Sequence, residues 1–139
     1  MKSSTFVIGI ILLSFLFHSC GDEGTGENPE VDSDADLATQ VEAHNQNDEF
    51  EEALQLLRQE DEEDPEVQQM LETVHMNYAL YLTYEEGQEN MRKNMPKALE
   101  HYRRVKELNP DHERAQEEID QIEEIYQQLG RDIPEGVAE

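Results

Sequence analysis

The sequence predicts an all-α fold of about five helices. Two observations carry this. Apolar residues recur at intervals of three and four along most of the chain after residue 34, the spacing of one helical face. The block Phe50–Pro65 returns 45 positions later as Met95–Pro110, with Ala53-Leu54 as Ala98-Leu99, Arg58 as Arg103, Glu62 as Glu107 and Pro65 as Pro110. At 139 residues the chain has room for one small domain.

Taken in order, the first helix is expected over 34–47. Leu37, Val41 and His44 form a weak apolar stripe, and Ser33 with Asp36 three residues on matches a capping box. The alternating acids Asp32, Asp34 and Asp36 suggest calcium only superficially. An EF-hand loop needs Gly where Leu37 stands and Glu where Ala43 stands, so a helix start is the better reading. The second helix is expected over 50–63, with Phe50, Ala53, Leu54 and Leu57 as its inner face. Asp64 and Pro65 then read as the N-cap and first residue of a third helix over 66–85, striped by Leu71, Val74, Tyr78 and Tyr81. The fourth, 96–108, carries Ala98, Leu99 and Tyr102, and Asn109-Pro110 repeats the cap signal. The fifth, 112–129, sets Ala115, Ile119, Ile122, Tyr126 and Leu129 on one face and glutamates, aspartates and glutamines on the other, and ends at Gly130.

The small residue at 53 and 98, the large one four positions later and the proline twelve positions later resemble the second helix of a tetratricopeptide repeat. The resemblance implies two helical hairpins followed by a polar-faced capping helix, spanning 34–130, with residues 131–139 as a tail. The family period is 34; the excess in this chain falls at Thr83 to Asn94 and implies a lengthened third helix, a loop, or both. First helices of such repeats line a concave groove. Carried over, the groove positions are Ala38, Glu42, Asn45 and Gln46, then Gln69, Glu72, Met76, Ala79 and Leu80, then Arg114, Glu117 and Gln121. Met76 and Leu80 are expected to be its exposed apolar floor, with Val74, Tyr78, Ala98 and Tyr102 in the core. Where some members grip a carboxylate with lysine and asparagine, this chain has Ala38, Glu42 and Glu72. The groove therefore suits a neutral or basic segment.

The amino terminus has its own pattern: Lys2, an apolar run from Phe6 to Phe17, then Ser19-Cys20-Gly21. A positive start and about a dozen apolar residues read as an export signal, and the run is shorter than the ~20 residues that span a bilayer. With the only cysteine at the expected cleavage point, the segment resembles a bacterial lipoprotein signal over 1–19. Ser19 and Cys20 fit that pattern, while Phe17 and His18 stand where leucine and a small residue are commoner. The resemblance implies acylation of Cys20, including palmitate, and anchoring without a membrane-spanning helix. Ordinary signal cleavage and an uncleaved anchor are the alternative readings. Residues 20–33, rich in glycine and acids, read as a flexible tether. The acids after Cys20 resemble the tags that send some Gram-negative lipoproteins to the cell surface, and equally fit a solvated linker.

Composition narrows the function. Ten basic residues against 34 acidic ones, a formal charge of −24, argue against nucleic acid. From Asp34 onward there is no Ser, Cys or Trp, so no serine or cysteine nucleophile is available there. His44, His75, His101 and His112 include no i,i+4 pair of the kind metalloprotease helices use. No catalytic residue, metal site or cofactor is expected. The leading expectation is a lipid-anchored interaction module of the cell envelope, at the outer membrane and facing the periplasm or exterior, that holds another envelope protein. Because two repeats and a cap bury little surface, a second copy is a further candidate partner. The alternative is an accessory lipoprotein that captures a solute for a transport system.

Overall fold

The computed structural model describes residues 31–85 and 91–135. The export signal, Cys20 and nearly all of the tether lie outside the described residues. Among those described there are five α-helices and no strand: α1 (Leu37–Gln46), α2 (Phe50–Leu57), α3 (Pro65–Leu80), α4 (Met91–Leu108) and α5 (Glu113–Gln128). The chain is all-α, as its periodicity predicts. Each helix packs on the next, and α1 also reaches α3.

The helix starts follow from side-chain acceptors. Asp36, not Ser33, caps α1: its carboxylate accepts from the Thr39 amide at 3.1 Å and the Thr39 hydroxyl at 3.0 Å. The amide hydrogen bond holds the Asp36 carboxyl below its ordinary range. Asp64 caps α3 by accepting from Glu66 N at 2.8 Å, and Pro65 takes the first turn, where no N–H partner is lost. The parallel expectation at Asn109 fails. Pro110 lies in a turn, and α5 starts at Glu113, capped by the His112 ring accepting from Ala115 N at 3.1 Å. Asn109 accepts from Asp111 N at 3.2 Å within that turn and donates through its amide to Glu72.

Helix ends diverge more from the sequence reading. α2 stops at Leu57, six residues short of expectation, and turns through 58–64. Residues 60–64 are all acidic, and carboxylates at a helix C-terminus oppose its dipole. Asp61 organises the turn by accepting from Glu63 N. α1 closes with Asp48 at φ +60°, where Glu49 N reaches the His44 carbonyl and Asp48 N the Asn45 carbonyl. α5 closes the same way at Gly130, φ +62°. These are two left-handed caps, one without glycine.

The inserted segment is helical where it is described. α3 continues into a π-helical turn, Tyr81–Glu85, in which the Thr83 hydroxyl donates to the Ala79 carbonyl. α4 begins at Met91, five residues earlier than expected, and carries Pro96 inside it. The predicted core is buried: Ala53, Ala98 and Tyr102 are fully covered, with Val74 and Tyr78 beside them. Phe50 stacks on Tyr78 at 4.9 Å between ring centres. Lys97 on α4 donates to Glu51 on α2 at 2.7 Å and to the Tyr78 hydroxyl on α3, tying three helices at one point.

Candidate functional site

A hollow of about 500 Å³ opens between α1 and α3. From α1 it is lined by Ala38, Val41, Glu42 and Asn45; from α3 by Glu66, Gln69, Met70, Thr73 and Val74. Buried Val41 and Val74 with half-buried Met70 make an apolar floor. Its rim carries two carboxylates, Glu42 and Glu66, and no cation. Asn45 lines this hollow and the neighbouring one, and its amide oxygen is buried without a hydrogen-bond partner.

The sequence-derived residues divide. Ala38, Glu42, Asn45 and Gln69 come together in this groove. Gln46 sits beside it on the exposed side of α1, donating to Glu42 at 2.6 Å. Glu72 faces the α4–α5 connection, accepting from Asn109 at 3.0 Å with the His112 ring 3.8 Å away. Met76 is 8% exposed and belongs to the core, as does fully buried Ala79, so the expectation of an exposed Met76 is corrected. α3 packs against α1, α2 and α4, so it buries more than one stripe. Leu80 is half-buried in a separate hollow of about 230 Å³ with Asn45, Phe50 and Tyr81. Arg114 is exposed on α5, 3.9 Å from Glu118. Glu117 and Gln121 are exposed on the same helix.

Sequence reasoning missed Glu66, Met70 and Thr73 as groove residues, and placed Val74 only in the core. With Gln69 they follow one i, i+3, i+4, i+7 stripe of α3, a signal present in the sequence. The family-derived register instead selected 72, 76, 79 and 80. Among the described residues, no three His, Cys, Asp or Glu side chains are grouped to hold a metal ion. No described helix is long and apolar enough to cross a membrane. Comparisons of the chain with models of known families, with characterised proteins and with solved structures give no match.

Proposed function

We propose that this protein is a lipid-anchored interaction module of the bacterial cell envelope, whose α1–α3 groove takes a segment of another protein. The observation that carries the reading is the groove itself: an apolar floor and an acidic rim without a cation. Such a lining favours an extended or helical segment that presents an apolar side chain with lysine or arginine beside it. The helix contacts support a tetratricopeptide-like arrangement, since the first helices of the two hairpins, α1 and α3, share the groove. The signal-like run and Cys20 support anchoring by lipid.

Glu42→Lys/Glu66→Lys reverses the rim without touching the floor. Both side chains are exposed, so stability should change by only about 0.5 kcal/mol per site. Full-length protein carrying the double change should lose a partner that the wild type captures from detergent-solubilised envelope, and the wild-type complex should weaken with rising salt. Identical capture by both proteins would refute the groove reading. Anchoring is tested separately, by labelled palmitate: incorporation should disappear in Cys20→Ala.

A further inference from the structure

A second hollow, of about 530 Å³, lies where α2, α3, α4 and the C-terminal segment meet, and His75 and His101 line it together. His75 comes from α3 and His101 from α4, and their Nδ1 atoms face each other at 2.8 Å. The ring centres are 5.1 Å apart. His101 is 9% exposed, its ring lies 4.4 Å from that of Tyr78, and its Nε2 has no hydrogen-bond partner. Two Nδ1 atoms at this distance require one proton between them: one ring donates and the other accepts. A further proton can be held, because a charged ring still donates to a neutral one. Protonation of both rings sets two N–H groups head to head with no acceptor.

Both cations and carboxylates surround the pair. From α2 comes Glu51, already engaged by Lys97 of α4. After α2 come Arg58, Glu60 and Glu62, and Glu62 is held by Arg104. α3 contributes the neutral phenol of Tyr78. α4 contributes Lys97, Glu100, Arg103, Arg104 and Glu107, with Glu107 also on Arg104 and Arg103 on Glu123 of α5. Glu135 closes the rim.

We propose that the His75–His101 contact is an acid-operated joint, which holds α3 to α4 while at least one ring is neutral and forces them apart when both are charged. The energetics agree with the geometry. Burial pushes His75 down to about 4, aided by Arg104 and Arg58, and pushes His101 down to about 3, aided by His75 and Lys97. An unfolded histidine titrates near 6.5. The native state thus refuses protons that the unfolded chain accepts. The contribution of the pair is complete above about pH 6.5 and is lost as pH falls toward 4 and 3. Loss begins above the range where ordinary carboxylates protonate, so the window from pH 6.5 to 5 isolates the histidines from relief of acidic repulsion.

The test is an NMR titration of the histidine rings in the full-length protein, beside urea unfolding at pH 7.5, 6 and 5. Both buried rings should remain neutral at pH 5.5. The unfolding constant should rise about sevenfold for each ring, roughly 50-fold together, between pH 6 and 5. His75→Phe/His101→Phe keeps ring volume and removes both titrations, so its unfolding constant should lack that rise; the other histidines supply the background it retains. Equal pH dependence in wild type and variant would overturn the proposal. If the variant does not fold, the wild-type spectra decide alone: rings that titrate near 6.5 with the helices intact overturn it, and rings that charge only as α3 and α4 separate support it.

Discussion

Asp48 holds φ +60° at the end of α1, in a region most side chains enter only at a cost. Asp48 N and Glu49 N make the two backbone bonds that Gly130 N and Arg131 N make at the end of α5. Asp48→Gly should therefore leave stability unchanged or raise it by up to about 1 kcal/mol, the relief of the left-handed backbone set against the entropy of glycine. Asp48→Val should lose roughly 1–3 kcal/mol. Urea unfolding of both variants checks the pair, and equal stability of the two would contradict the cap. Met76 makes the opposite kind of test. As a core residue it should lose about 2–5 kcal/mol on Met76→Ala. Leu129→Ala, at a side chain 63% exposed, should change stability by no more than about 0.5 kcal/mol. Equal losses at the two positions would return Met76 to the surface.

Helix boundaries show which local signals decide. Ser33 and Asp36 both offer a cap, and Asp36 wins because Thr39 presents an amide and a hydroxyl to one carboxylate. Asp36→Ala should lower the melting temperature and Ser33→Ala should leave it unchanged, by thermal melting of each. At the end of α2, five consecutive acids meet the negative end of a helix and end it early. At the start of α5, Asn109 makes the same bond as Asp64, accepting from Asp111 N at 3.2 Å, yet a turn follows and the His112 ring caps the helix. The Asn109 amide also donates to Glu72, 37 positions away, a contact that no local pattern reveals.

The whole molecule carries 34 acids against ten bases, and they are spread along every helix. The cross-helix pairs Lys97–Glu51, Arg103–Glu123 and Arg104–Glu62 use three of those bases. Each involves a partly exposed carboxylate, so each contributes little in water. Repulsion among the remaining acids should weaken the compact state at low ionic strength. The screening length falls from about 30 Å at 0.01 M to about 3 Å at 1 M salt. Relief of about 1 kcal/mol would raise the melting temperature by roughly 4–8 °C for a domain of this size. A melting temperature independent of salt would mean that the charges are neutralised locally.

Periodicity by itself determined the class of the fold, the number of helices and most of the core, because Ala53, Ala98 and Tyr102 must be buried wherever helices of this pattern meet. Asp64-Pro65 and Gly130 fixed their helix ends, since capping chemistry is local. The groove was half legible: Ala38, Glu42, Asn45 and Gln69 were identified, while Met76 was misplaced and Met70 and Thr73 were missed. A helix covered on one side buries one stripe, and a sequence reports that stripe. α3 packs against α1, α2 and α4, so more than one of its faces is buried. Only the tertiary structure could decide which of its residues remain open, and only it could bring His75 to His101, because that contact joins two helices at a register that the spacing within each leaves free.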